Sequence, residues 1–216
     1  MSNRLINEIL QEPDAFFLIE AAQVALEKEK ANRLAFYNDI TEQQKAEFIN
    51  GEIIVHSPVM MRHNRASMLL ARLMSVYVDT QQLGFVGIEK IMITLTRNDY
   101  EPDICFFKKE KAAQFQPHQT LFPAPDFVVE ILSESTKERD RGVKFKDYEA
   151  HQIEEYWIID PDLETIEQYH LINRHYELLL KAREGNIKSC VIEGFQIPIR
   201  AVFDEALNLQ ILKQLM

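Results

Sequence analysis

The run Pro125-Asp126-Phe127-Val128-Val129-Glu130-Ile131-Leu132-Ser133 is a near-continuous apolar strand with a carboxylate at its centre. An unpaired charge is costly to bury, so this segment demands a sheet and also a partner for Glu130. Strand-like runs recur along the chain: "GEIIVHSP", "FVGIEKIMITL", "EPDICFF", "EYWIID", "ETIEQYHLI", "RHYELLLK", "IKSCVI" and "FQIPI". Helical patterns lie between and around them. "RHNRASMLLARLMSVYVD" sets Ala66, Leu69, Leu70, Leu73, Met74 and Tyr77 at helical spacing. "ESTKERDRGVKFKDYEAHQ" reads as a helix opened by a Ser135–Glu138 capping box. "VFDEALNLQILKQL" closes the chain as another helix. "ITEQQKAEF" reads as a short helix capped by Thr41, ending at the turn signal Asn50-Gly51. Hairpin-like strand pairs exclude an all-parallel sheet. The expected fold class is therefore α/β, a mixed β-sheet flanked by helices.

A chain of 216 residues suits one such domain with a terminal extension. Residues 1–35 are expected to form a helical extension, and residues 36–216 the domain proper. The extension is apolar at positions 16, 17, 18, 21, 22, 25 and 26, before a charged run. It could be a dimer arm; packing on its own domain is the favoured reading. No apolar run reaches about 18 residues, so no membrane span is expected. The N-terminus lacks the compact apolar core of a signal peptide, and a cytoplasmic location is the default. Neither Cys105 nor Cys190 belongs to a CxxC, and both read as buried small apolar residues. The histidines form no HxH or HExxH pattern, so zinc has little support.

A net charge of −10 argues against tight nonspecific DNA binding. It is compatible with an acidic site that needs a divalent cation near phosphate. Where would Glu130 find such company? Asp126 shares its strand face but lies roughly 13 Å away along the backbone, too far to share one ion; it reads as a strand-starting residue. Asp103, at the head of the preceding strand, is the better partner. If the two strands pair, facing Cα atoms lie only about 4.5–5.5 Å apart. A lysine two residues after Glu130 would share its face, but that position is Leu132. The following helix offers Lys137, Lys144 and Lys146, with Asp140, Lys144 and Tyr148 on one stripe. A charged stripe is more often a solvated face, so spacing alone leaves Lys144 a candidate among the three.

These segments together ("AEFINGEIIVHSP" with His63 downstream, "TRNDYEPDICFF", "APDFVVEILSEST", "DRGVKFKDY" and "EYWIIDP") resemble the Uma-type family of restriction endonuclease-like proteins, within the PD-(D/E)XK nuclease superfamily. The resemblance implies a restriction-endonuclease-like core and a divalent-metal-dependent endonuclease acting on DNA. It implies that Asp103 and Glu130 bind Mg²⁺ (or Mn²⁺), with the carbonyl of Ile131 as a further ligand. It implies that Glu47, on the first core helix, assists the site, and that the catalytic lysine has moved to the next helix as Lys144. Analogy with the superfamily adds a homodimer. His63 is better read as a capping or packing residue than as a phosphate contact. One rival reading is a catalytically inactive nuclease fold serving as a dimeric interaction module. Another makes Glu130 and Lys144 a purely structural ion pair.

Overall fold

A computed structural model describes residues 2–41 and 44–216. The chain divides into two compact units: Met1–His56 with Thr96–Asn98, and Ser57–Leu95 with Asp99–Met216.

The smaller unit contains α1 (Ser2–Gln11), α2 (Ala15–Asp39), β1 (Ala46–Ile49) and β2 (Glu52–Val55). The expected helix over "ITEQQKAEF" is corrected here. Positions 42 and 43 lie outside the described residues, and Ala46–Ile49 is a fully buried strand. Glu47 therefore sits on a strand, not on a helix. The reason lies in the next two residues. Asn50 and Gly51 both have positive φ, at 50° and 86°, and Ile49 faces Glu52 across them. That is the two-residue turn of a β-hairpin, whose twist suits antiparallel strands, rather than a helix terminus. The C-terminal half of α2 is anchored. Phe36 is buried against Phe48, Arg97 forks onto Glu29 at 2.9 and 2.6 Å, and Arg33 donates to the carbonyls of Thr96 and Asn98.

The larger unit runs α3 (Met61–Gln81), β3 (Gly84–Ile88), β4 (Met92–Thr94), β5 (Asp99–Tyr100), β6 (Ile104–Lys108), α4 (Lys109–Ala112), β7 (Leu121–Phe122) and β8 (Phe127–Ile131). It continues with α5 (Lys137–Arg139), a π-helical turn (Asp140–Lys144), α6 (Phe145–Ala150), β9 (Glu155–Asp160), β10 (Thr165–Ile172) and β11 (His175–Ala182). β12 (Asn186–Lys188), β13 (Gln196–Pro198), a 3-10 turn (Ile199–Val202) and α7 (Glu205–Leu215) complete it. The main sheet has six strands in the order β11-β10-β9-β8-β6-β3. Only β8 and β9 pair in parallel; the other neighbours are antiparallel. The mixed α/β sheet flanked by helices is the architecture expected from the sequence. "FVGIEKIMITL", expected as one strand, breaks into β3 and β4 at Glu89, whose φ is 54°.

β8 is buried at every position, and its alternation explains the sheet's two faces. Phe127, Val129 and Ile131 join Leu70, Leu73 and Met74 of α3 in the main core. Val128 and Glu130 point the other way, toward the helical segment after Lys137, where Lys144 and Tyr148 bond Glu130. That segment lacks the expected capping box. Thr136 is its N-cap and makes no side-chain cap bond, while Thr136 Oγ1 accepts from the Ser133 amide.

A second correction concerns "IKSCVI". The strand stops at Lys188, because Ser189 Oγ turns back to accept the Val191 and Ile192 amides. Cys190 is consequently exposed, not buried; Cys105 is buried as expected. Among the described residues, no helix is long and apolar enough to cross a membrane.

Candidate active site

The site is built on adjacent antiparallel strands. Ile104 faces Val129 and Cys105 faces Val128, so continuing the register by one residue sets Asp103 opposite Glu130. The two carboxylates are 5% and 3% exposed. Asp103 Oδ2 accepts the Ile131 amide at 2.8 Å, a bond that ties the head of β6 to the end of β8. His63, on the first turns of α3, brings Nε2 to 3.3 Å from the same oxygen. His63 is thus a buried neighbour of Asp103.

Glu130 is held from the helical side. Lys144 Nζ donates to Glu130 Oε1 at 3.0 Å, and Tyr148 Oη donates to the same oxygen at 2.7 Å. Asp140 Oδ1 stands 3.4 Å from Lys144 Nζ. The stripe Asp140, Lys144 and Tyr148 is therefore real but not solvated, since all three residues are buried. Lys146 is exposed, and Lys137 bonds Glu134 at 2.9 Å. Of the three candidate lysines, only Lys144 meets Glu130.

Why does the helix deliver these groups here? Its central turn is π-helical, a local widening that recurs at functional sites. Gly142 lies within that turn, and a Cβ there would meet nothing within 4 Å. Tyr100 closes one side of the lysine, its ring centroid 5.7 Å from Lys144 Nζ and 5.3 Å from the Tyr148 ring. Tyr100 Oη in turn donates to Asp147 at 2.8 Å. Tyr156 donates to the Asp140 carbonyl at 3.0 Å. Burial, reinforced by the charges of Glu130 and Asp140, pushes the Tyr156 phenol well above its ordinary range, so Tyr156 acts as a fixed donor.

Asp103, Glu130 and Lys144 come together in the larger unit. Glu47 belongs to the smaller unit, where it is buried and 3.1 Å from His56 Nε2. Asp126 bonds the Lys108 amide and Lys111, as befits a residue that fixes the start of a strand. The sequence pattern gave no role to Tyr100 or Tyr156; the i, i+4, i+8 spacing already set Tyr148 on one stripe with Asp140 and Lys144.

Can the residues present hold a divalent cation? Among the described residues, no group of three His, Cys, Asp or Glu side chains is arranged to hold a metal ion. The donor set nevertheless has the right chemistry. Mg²⁺ prefers oxygen ligands and is commonly held by one or two carboxylates, with water and substrate phosphate completing the shell. Asp103, Glu130 and Asp140 are three buried carboxylates gathered near the ammonium of Lys144, which meets Glu130 and Asp140. When ionised, such an excess of buried negative charge favours a bound cation.

A different solution appears at Glu155, which is fully buried. Its carboxylate accepts from Trp157 and Gln168 side chains, the Ser189 hydroxyl, and the amides of Cys190 and Val191. Burial raises its pKa while those bonds pull it down. All these donors are neutral, and the arrangement is structural.

The family model for Uma2, described as "Putative restriction endonuclease", matches residues 29–200. Two uncharacterised proteins of Synechocystis sp. PCC 6803 are each 30% identical. The first, sll1609, aligns over 66% of this chain and 81% of its own length. The second, slr1290, aligns over 60% and 67%. A crystal structure from Anabaena variabilis, titled as a "putative nuclease belonging to DUF820", superposes with a TM-score of 0.67 at 19% identity. It covers 78% of this chain and 94% of its own, and at that identity it speaks for the fold.

Proposed function

Since the chain belongs to the Uma2 family, whose model is described as "Putative restriction endonuclease", we propose that it is a divalent-cation-dependent endonuclease that hydrolyses DNA phosphodiester bonds, working as a homodimer in the cytoplasm. The observation that carries this reading is the pairing of two buried carboxylates, Asp103 and Glu130, across antiparallel strands with a buried lysine on one of them.

In this reading Asp103 and Glu130 hold Mg²⁺ or Mn²⁺, with the Ile131 carbonyl beside them. The bound cation supplies positive charge that polarises a phosphate oxygen and acidifies water. The chain's own groups do the rest. The Ile131 amide and His63 fix Asp103 through Oδ2. Tyr148 fixes Glu130 through Oε1. Lys144, drawn between Glu130 and Asp140, is a compact cation that can turn toward a phosphate oxygen or orient the attacking water. Glu47 is proposed to assist by holding a water or a second ion.

The test is cleavage of supercoiled plasmid with Mg²⁺ or Mn²⁺, comparing wild type with Glu130→Gln. The variant keeps an oxygen able to accept from Tyr148 but loses the charge. A loss of about 10²–10³-fold is expected. Equal cleavage by both proteins would remove the proposal. The 3.0 Å contact between Lys144 and Glu130 also favours a second reading, a structural ion pair, which often adds little net stability. Calorimetric titration with Mn²⁺ separates the two. Binding heat that disappears in Asp103→Asn supports the nuclease site; no heat in wild type supports the ion pair.

A further inference from the structure

The N-terminal helices reverse the usual placement of side chains. The segment "AFFLIEAAQVAL" of α2 has only Glu20 and Gln23 as polar residues, so apolar groups surround its whole circumference. A helix of that kind is normally buried on every side. Here Phe16 and Phe17 are 72% and 68% exposed, and Leu18, Ile19, Val24 and Leu26 are exposed as well. α1 joins α2 through a short turn at Pro13, and it too exposes Leu5, Ile6 and Leu10. The family match begins at residue 29, so α1 and the apolar half of α2 lie outside it.

We propose that the α1–α2 hairpin is the surface on which a second copy of this chain docks, the two hairpins packing antiparallel as a four-helix bundle. Three observations select this occupant. First, the exposed apolar side chains of the hairpin amount to on the order of 1,000 Å² per copy, against about 800 Å² per partner in a standard stable interface. Monomers seldom leave patches above about 600 Å² uncovered. Second, a bundle encloses a helix on all sides, as an all-round apolar helix requires; one groove on another protein would cover a single side. Third, the charges match in this arrangement. A two-fold axis near Ala21, whose small side chain permits close approach, brings the exposed Lys28 of each copy alongside Asp14 of the other, both on the helix face of Ala21. A membrane surface is a poor alternative occupant. Before Lys28 the hairpin carries one base, Arg4, against Glu8, Glu12, Asp14, Glu20 and Glu27, whereas interfacial helices are rich in Lys and Arg.

This inference names the surface of the dimer in the nuclease reading, but it can fail independently, because mass is measured in EDTA without substrate. Sedimentation of the full chain at tens of micromolar should give about twice 25.3 kDa. Phe17→Glu with Val24→Glu should weaken association at least ~100-fold while circular dichroism and Mn²⁺ binding stay unchanged. Lys28→Glu should also weaken it. Adding Asp14→Lys to that variant should restore the dimer, an outcome that nonspecific stickiness does not produce. A monomeric wild type, or a dimer indifferent to all these changes, overturns the proposal. So does a monomer that floats with anionic vesicles through these helices.

Discussion

The carboxylate site and the N-terminal hairpin break the same rule in opposite directions. In the first, charged groups are buried: Glu130 is 3% exposed and Lys144 is 2% exposed. In the second, large apolar groups lie in water. Buried charge and exposed apolar surface are the two departures that carry information in a soluble fold. The difference teaches what each region lacks. In the nuclease reading, the ionised carboxylates of the site outweigh Lys144 and would favour a cation. The hairpin holds more apolar surface than its own unit covers and asks for another apolar surface. The C-terminal half of α2 sets a control inside one helix, with Phe36 buried and Glu29 and Arg33 anchored to residues 96–98.

The contrast breaks most directly at Lys144. Lys144→Met removes the buried ammonium that donates to Glu130 and raises the excess of carboxylates around it. In EDTA we expect a loss of about 3–5 kcal/mol in urea unfolding, largely recovered by millimolar Mn²⁺, with cleavage abolished. A Lys144→Met protein as stable as wild type in EDTA would mean that the carboxylates do not carry the charge attributed to them.

Tyr148→Phe is gentler. The ring keeps its packing against Tyr100 and Tyr156, and only the bond to Glu130 Oε1 is lost. A hydrogen bond to a charged group is worth about 1.5–3 kcal/mol, and that is the expected cost. A cost near zero would show that Lys144 alone positions Glu130.

A surface-facing pair supplies an intermediate case. Arg141 forks onto Glu167 at 2.8 and 2.8 Å. That pairing is the main reason the Glu167 carboxyl falls from 4.5 to about 2. A lowered carboxylate pKa means the unfolded chain binds the proton first. The stabilisation is complete above pH 4.5 and disappears as pH falls through about 2. Arg141→Gln should flatten the fall in unfolding free energy across that window by lowering stability at neutral pH, a loss reduced by solvent screening because the arginine is partly exposed, and should leave stability near pH 2 almost unchanged. An unaltered acid profile would assign the slope to other carboxylates.

How much of this was written in the sequence? Periodicity located α3, β8, β9 and the closing helix because their apolar faces are intact. The Asp103–Glu130 pairing was legible because strand alternation sets the two carboxylates on one face once β6 and β8 are neighbours. Two things were not. Asn50-Gly51 serves both a helix end and a hairpin turn, and only the paired partner strand decides between them, so Glu47 was placed on the wrong kind of element. Asp140, Lys144 and Tyr148 show a polar stripe that looks solvated, because one-dimensional spacing does not reveal a strand carboxylate waiting above it. The reverse error applies to α2. Its apolar residues suggested packing on the same domain, and composition alone cannot tell covered from uncovered.

The smallest effect should come from the hairpin, and its size sharpens the contrast. Leu18 and Val24 are exposed, so Leu18→Ser with Val24→Ser removes almost no burial from an isolated chain. At a concentration where the protein is monomeric, the change in unfolding free energy should stay within about 0.5 kcal/mol, against several for Lys144→Met. At high concentration, association stabilises the wild type by mass action. The same double substitution should then lower the melting temperature relative to wild type, by an amount that grows with concentration. A penalty of several kcal/mol at high dilution would mean that these side chains are buried within a single chain. The two regions would then no longer be opposites.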